Sequence, residues 1–289
     1  MAVSYYSART DMQLHADLNW ILTAPSLMQP GAGDTWQQLK TQIRQWLKQK
    51  PELTPLRQCL QQLRSQRLGL YYEALWYFLL STYPDTRVLA HNLQVRHQGK
   101  TLGAFDFIFY CPLRQQPVHL ETSVKFYLGV EPERWLGPNT SDRLDLKWKH
   151  LISHQIQLSK YPAAIARLNQ LDIASLEYEI QLSGMLFYPT LTPDFPAPKQ
   201  CIANHWRGRW LRHEQLDLLT AGYWQQLDLR DWLSTLVTAS PQWQHPEQLI
   251  PQDFNDNLRP LQIALMEETA QAWQAQQRYF IVPNHWPAE

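Results

Sequence analysis

The chain has 289 residues, of which 44% are hydrophobic, with 13 tryptophans and only 10 glycines. This composition indicates a globular protein and excludes a disordered or fibrous one. The 26 basic and 26 acidic residues leave no net charge, which excludes a globally basic nucleic-acid binder but allows local basic surfaces.

The sequence predicts a cytoplasmic protein. The first twenty residues lack the basic start and the apolar stretch of a signal peptide. No charge-free apolar run approaches the ~18 residues that a membrane span needs. Cys59, Cys111 and Cys201 lie far apart, without disulfide or metal-ligand spacing, which is typical of a reducing compartment.

The first quarter of the chain is predicted to be helical. Residues 11–67 show helical patterns, including a stripe of Leu56, Leu60 and Leu63. The run 68–81, LGLYYEALWYFLLS, is apolar on nearly all sides, which predicts a buried helix.

Glu73 is the charged residue within this apolar run. Helical spacing places it on the same face as Leu70, so its carboxylate points inward. A buried carboxylate needs a cation, hydrogen bonds or a proton. A structural ion pair with Arg67 or Arg87 is the alternative to a functional role.

The middle of the chain alternates in hydrophobicity as strands do. The predicted strands are residues 88–96, 102–110, 118–128 and 178–188. Short connections make the first three an antiparallel meander, and a helix from Asp142 to about Tyr161 precedes the fourth. The predicted fold class is therefore α/β (α+β), with a mixed sheet of about four core strands flanked by helices.

We expect a single domain over residues 1–289, because only a short proline-rich connector interrupts the pattern. It consists of a helical N-terminal part (1–67), a core (68–190) and a mixed C-terminal extension (191–289). The extension is predicted to hold a tryptophan-rich strand and a helix around Leu261 to Arg278.

Asp106 is an acidic residue in the interior of an apolar strand, FDFIF, where aspartate is disfavoured. The hairpin register sets it opposite Glu121 or its neighbour, and directly opposed residues have Cβ atoms roughly 4.5–5.5 Å apart. Such a pair is tolerated if one acid is protonated or a divalent cation lies between them. Oxygen-only ligands suit Mg²⁺ or Mn²⁺. An inward ion pair of Asp106, and a plain Glu121–Lys125 pair on an exposed strand, are the alternatives.

The helix after Asp142 is predicted to carry one polar ridge. Its members, at spacings of three and four, are Arg143, Lys147, His150, His154, Gln157 and Tyr161. Such a ridge could track a phosphate backbone, although a solvated helix face is the more common explanation. His150 and His154 have zinc-ligand spacing, but no third ligand is evident, so zinc is discounted.

A second basic segment lies in the C-terminal extension. Its basic residues are Lys199, Arg207, Arg209 and Arg212, interleaved with Trp206 and Trp210. This pattern suits phosphate contact combined with base stacking. An exposed strand that uses arginine for solubility is an equal alternative.

The order of these acidic residues resembles the core of the PD-(D/E)XK nuclease superfamily. Glu73 lies in a helix before the sheet, Asp106 in the second strand and Glu121 in the third. Gln157 and Tyr161 fit the QxxxY motif of its RecB-type exonuclease branch. The whole chain also resembles an uncharacterised bacterial family of unknown function placed in that superfamily.

The resemblance implies a restriction-endonuclease-like fold and metal-assisted hydrolysis of phosphodiester bonds in DNA or RNA. Asp106 and Glu121 would bind Mg²⁺ (or Mn²⁺), with Glu73 as an added ligand and Lys125 as the catalytic lysine. The residues expected to position the substrate strand are Gln157 and Tyr161, with Arg143 and Lys147 of the polar ridge.

One position departs from the superfamily pattern. The motif has a lysine two residues after the acid, where this chain has Ser123, and Lys125 lies ~6.6 Å further along the strand. Two other functions stay open. One is a non-catalytic nucleic-acid- or protein-binding module on the same fold, and the other is a metal-dependent hydrolase of small phosphorylated substrates.

Overall fold

The computed structural model describes residues 6, 8–30, 33–234, 240–256, 259–270 and 272–287. The chain divides into two compact units. The first comprises Met1–Val124 and Leu146–Ser183, and the second comprises Lys125–Asp145 and Gly184–Glu289. The single domain over residues 1–289 stays a prediction.

The first unit begins with helices, as the sequence predicted. They are α1 (Asp11–Thr23), α2 (Asp34–Leu47), α3 (Thr54–Gln61) and α4 (Leu68–Thr82). The side chain of Thr10 caps α1 by accepting from the backbone N–H of Gln13. The apolar α4 is buried but has only 15 residues. Among the described residues, no helix is both long and apolar enough to cross a membrane.

The predicted antiparallel meander follows α4. Its strands are β1 (Arg87–His97), β2 (Lys100–Cys111) and β3 (Gln116–Glu131). Gln98 and Gly99 both have positive φ at the turn between β1 and β2, the conformation that tight hairpins favour. A short β4 (Arg134–Leu136) pairs with β3.

The helix predicted from Asp142 to about Tyr161 is interrupted, so that prediction was wrong in part. Its pieces are α5 (Leu144–His150), a π-helical turn (Leu151–Gln155), a 3₁₀ turn (Leu158–Lys160) and α6 (Pro162–Asn169). The amide of Ile156 donates to the carbonyl of Leu151 at 3.1 Å. This i→i+5 bond adds a residue to the turn and shifts the phase of every side chain after it.

The C-terminal extension is built mainly of strands. It contributes β6 (Arg207–Arg212), β7 (Gly222–Leu227), β8 (Trp243–Gln244), β9 (Leu261–Glu268) and β10 (Trp273–Val282). From β5 (Glu177–Pro189), the hydrogen-bonded order in the second unit is β5-β6-β10-β9-β7-β8. β6 runs parallel to β5 and β10, and the other pairs are antiparallel.

The mixed sheet is confirmed, and the prediction of about four strands is corrected to ten strands in the described part of the chain. The helix predicted around Leu261 to Arg278 is also wrong, because this segment forms β9 and β10. Its alanine, glutamate and glutamine favour helix. Pairing with β6 and β7 outweighs that preference, since an unpaired strand edge is a template for further strands.

Candidate functional site: a buried carboxylate pair

The β2–β3 hairpin places Asp106 against Glu121. Phe107 pairs with Leu120, and the same register continued by one residue sets Asp106 opposite Glu121. The backbone N–H of Thr122 donates to Oδ2 of Asp106 at 2.9 Å. The two acids therefore lie on neighbouring strands in the register that the hairpin length predicted.

Glu121 is a buried carboxylate, only 1% exposed, held by a chain of side-chain hydrogen bonds. Its Oε1 lies 2.7 Å from Nε2 of His119, and its Oε2 accepts from the amide nitrogen of Gln155. The Oε1 of Gln155 in turn accepts from Nζ of Lys147 at 3.0 Å. Strand β3 and the helical segment after it thus meet at Glu121.

Asp106 has a carboxyl group with a strongly raised pKa. The pKa of its carboxyl is raised to about 7, first by burial and then by the charges of Glu121 and Glu73, with the Thr122 N–H and Lys147 acting in the opposite direction. A carboxyl with a pKa near neutrality in a buried site is typical of functional groups, although structural networks also produce it.

Glu73 has a histidine partner rather than Arg67 or Arg87. Its Oε1 lies 2.6 Å from Nε2 of His91. The His91 ring stacks on Phe107, with ring centroids 4.8 Å apart and planes 7° apart. Glu73 therefore acts on Asp106 through its charge, while its own oxygen is engaged by His91.

His119 contacts Glu121 through one nitrogen of a buried ring. Nε2 faces the Glu121 carboxylate, so this nitrogen carries a proton. Nδ1 is buried without a hydrogen-bond partner among the described residues, and the ring meets Phe105 edge-on at 4.7 Å. A carboxylate oxygen only accepts hydrogen bonds, so Nε2 is the donor in this contact.

The lysine predicted to be catalytic has a different partner. Nζ of Lys125 forms an ion pair with Asp142, whose Oδ1 also accepts from the Tyr127 hydroxyl at 3.0 Å. Arg143 is paired with Asp145 at 2.7 Å. The lysine that joins the hydrogen-bond chain of Glu121 is Lys147.

The glutamine that bonds to Glu121 is Gln155, and the role predicted for Gln157 and Tyr161 stays a prediction. The side chain of Gln157 donates to the carbonyl oxygen of Ile152 at 3.3 Å, and Tyr161 is 41% exposed at the start of α6. Gln155, the last residue of the π-helical turn, reaches Glu121.

Three contributors, His91, His119 and Gln155, were missed from the sequence. Strand alternation already placed His119 on the Glu121 face, so a signal for it existed. His91 and Gln155 carried none, because their roles depend on a cross-strand stack and a π-helical turn.

The site offers two carboxylates to a divalent cation. In the described ranges, no three His, Cys, Asp or Glu side chains form a group that could hold a metal ion. Oδ1 of Asp106 accepts no hydrogen bond from the described residues, and each Glu121 oxygen retains a second lone pair. Mg²⁺ is commonly held by one or two carboxylates, with waters and substrate phosphates completing its shell. Asp106 and Glu121 therefore fit a magnesium-type ion, while Oε1 of Glu73 faces His91 and Glu73 as an added ligand stays a prediction.

Comparison with protein-family models matches residues 16–282 to a family described as a domain of unknown function, DUF1853. No curated protein and no solved structure matches the chain. The match extends over both units and includes every residue of the carboxylate site.

Proposed function

The chain belongs to the DUF1853 family, whose description assigns no activity, and we propose that it is a metal-dependent, nuclease-like phosphodiester hydrolase acting on DNA or RNA. The observation that carries this proposal is the buried pair of Asp106 and Glu121, whose mutual repulsion helps to raise the pKa of Asp106 to about 7. The pair supports membership of the PD-(D/E)XK superfamily.

A divalent cation is the ligand that best relieves the repulsion in this pair. Asp106, through Oδ1, and Glu121 would hold it. When bound, Mg²⁺ or Mn²⁺ supplies polarisation of the scissile phosphate and a lower pKa for an attacking water. Hydrogen bonds from His119 and Gln155 orient the Glu121 carboxylate beforehand, as outer partners of metal ligands commonly do.

Lys147 takes the role that the resemblance gave to Lys125. Its ammonium group bonds to Gln155 and lowers the pKa of Asp106 by its charge. A cation beside two carboxylates stabilises negative charge that develops on a phosphate.

A cleavage assay tests the proposal. The protein is incubated with single-stranded DNA, duplex DNA, RNA and a small aryl phosphodiester, with Mg²⁺, Mn²⁺ or EDTA. We expect cleavage of a nucleic acid that needs the metal and is lost in Asp106→Asn. Asp217→Asn, the same change at an exposed carboxylate, is the matched control and should keep full activity.

Two results would contradict the proposal: full cleavage in EDTA, and equal activity in the wild type and Asp106→Asn. Cleavage of the aryl phosphodiester alone would instead identify a hydrolase of small phosphorylated substrates.

The second candidate function is a nucleic-acid- or protein-binding module without catalysis. The engagement of Lys125 by Asp142, and of Gln157 by the Ile152 carbonyl, favours it. This function predicts salt-dependent binding of nucleic acid, with no product formed in Mn²⁺ by a protein whose fold is verified by circular dichroism.

A further inference from the structure

The second unit carries a cationic face on β6 that the carboxylate site does not use. β6 lies between β5 and β10 and runs parallel to both. Arg209 is aligned with Tyr188 on β5 and with Tyr279 on β10. Arg207 precedes Arg209 by two residues, so both side chains leave the same face of the strand.

A cavity of about 230 Å³ opens on this face. Its lining residues are Tyr188, Pro193, Arg207, Gly208, Arg209 and Gln277. Binding sites for whole drug-sized ligands have volumes of roughly 300–1,000 Å³. The cavity is therefore suited to one polar group, with the rest of the ligand outside it.

Neither arginine is neutralised by a carboxylate. Among the described residues, no acidic side chain lies within ion-pair distance of Arg207 or Arg209, whereas Arg134 in the same unit pairs with Glu131 at 3.4 Å. The guanidinium carbon of Arg207 lies 4.8 Å from the centroid of the Tyr188 ring. This contact orients Arg207 and leaves its edge N–H groups available for an anion.

The positive charges of Arg207 and Arg209 affect the pKa values of neighbouring side chains. Burial raises the pKa of Tyr188 to about 12 and that of Cys201 to about 11, and the charge of Arg207 acts against both increases. Burial likewise raises the pKa of Tyr279, and the charge of Arg209 acts against it. The positive field thus extends over both tyrosines that flank β6.

We propose that Arg207 and Arg209 bind a phosphate group in this cavity, either of a nucleic-acid backbone or of a free phosphate ester. Two guanidinium forks, ~6.6 Å apart along the strand, donate in-plane N–H pairs to different oxygens of a tetrahedral anion. Arginine at such a site is favoured over lysine, because its donors are fixed in a fork that matches phosphate. The site is independent of the proposed hydrolysis, since binding requires neither the carboxylate pair nor a metal.

Binding measured in EDTA tests this site separately from cleavage. The probes are inorganic phosphate and a nucleoside monophosphate, followed by calorimetry, and a fluorescein-labelled single-stranded oligonucleotide, followed by anisotropy. The test variant is Arg207→Gln with Arg209→Gln. Two variants serve as matched controls. Arg134→Gln removes an arginine that is paired with a carboxylate, and Arg207→Lys with Arg209→Lys keeps both charges but loses the paired N–H donors of the guanidinium groups. Circular dichroism verifies the fold of each.

We expect the double glutamine variant to weaken binding at least about tenfold per arginine, since each loses a charge-assisted hydrogen bond. Arg134→Gln should bind within about twofold of the wild type, and the double lysine variant should lie in between. With an oligonucleotide, the slope of log K against log salt should fall by about 1.4, as expected for two lost phosphate contacts on a single strand.

The outcomes separate the two sources of phosphate. Tight oligonucleotide binding that inorganic phosphate displaces only weakly identifies a nucleic-acid backbone. Binding of the small probes alone identifies a free phosphate ester. No binding of any probe by the wild type, or equal losses in the double glutamine variant and Arg134→Gln, would overturn the proposal.

Discussion

The carboxylate pair in the first unit and the arginine pair in the second unit show opposite ways of placing like charges together. Asp106 and Glu121 lie in a buried site, and Glu121 is bound by His119 and Gln155. Arg207 is exposed and Arg209 is half-buried, with no acidic partner among the described residues. Burial makes the first pair change its own chemistry, because desolvation and mutual repulsion raise the pKa of Asp106 to about 7.

Exposure to solvent leaves the chemistry of the arginines unchanged, in contrast to the effect of burial on Asp106. Water reaches both guanidinium groups and screens their repulsion, so they retain their charge and their donors for a ligand. The stability of the fold should therefore depend on the carboxylate site and little on the arginine face, while ligand binding should depend on both.

The largest effect is expected at Glu121. Glu121→Ala leaves the buried His119 and the half-buried Gln155 without their shared acceptor, and each unsatisfied donor costs ~1–3 kcal/mol in the free energy of unfolding. Arg207→Ala, at an exposed position, should cost at most about 1 kcal/mol. Urea unfolding followed by tryptophan fluorescence measures both. Equal costs would show that burial does not distinguish the two sites.

The second prediction separates the two lysines. Lys147→Met should reduce metal-dependent cleavage ~100-fold, because it removes the cation bonded to Gln155 and acting on Asp106. Lys125→Met should have a smaller effect, since Lys125 pairs with Asp142. The comparison uses kcat on the best substrate of the cleavage assay. A larger loss in Lys125→Met would restore the assignment made from the sequence.

The third prediction concerns pH. The pKa of Asp106 is about 7 in the folded protein and ~3.9 in the unfolded chain. The folded state therefore binds more protons, and stability declines as the pH rises between those values. Asp106→Asn removes this decline, retains the acceptor for the Thr122 N–H, and should be more stable than the wild type by ~1–3 kcal/mol at pH 8.

Unfolding by urea at pH 5, 6, 7 and 8 in EDTA measures this difference. Titrating groups remote from Asp106, Glu121 and Glu73 cancel, because both proteins share them, and Asp217→Asn provides the control for an exposed carboxylate. Mg²⁺ should stabilise the wild type more than Asp106→Asn at pH 8. A constant difference between the variant and the wild type across this range would contradict the shifted pKa.

Features that depend on nearby residues could be predicted from the sequence, and features that depend on distant residues could not. The buried helix at 68–81 and the opposition of Asp106 and Glu121 depend on local periodicity and on a short hairpin, and both could be read from neighbouring residues. The strands over Leu261–Glu268 and Trp273–Val282 depend on distant partners. Propensity favours helix there, so tertiary pairing had to be known first.

The smallest and most local prediction concerns the two glutamines around the π-helical turn. The QxxxY pattern predicts Gln157 as the functional glutamine. In the structure, Gln155, the last residue of the π-helical turn, is the glutamine that bonds to Glu121. Gln155→Ala leaves one oxygen of buried Glu121 without its donor and should cost ~1–3 kcal/mol in stability. It should also reduce cleavage, since Lys147 loses its link to Glu121. Gln157→Ala removes only a bond to the Ile152 carbonyl and should cost ~0.5 kcal/mol or less.

Urea unfolding and cleavage measured on both variants would decide whether Gln157, which the motif predicts, or Gln155, which bonds to Glu121, is the functional glutamine. If Gln157→Ala has the larger effect on cleavage, the motif rather than the hydrogen bond identifies the functional glutamine.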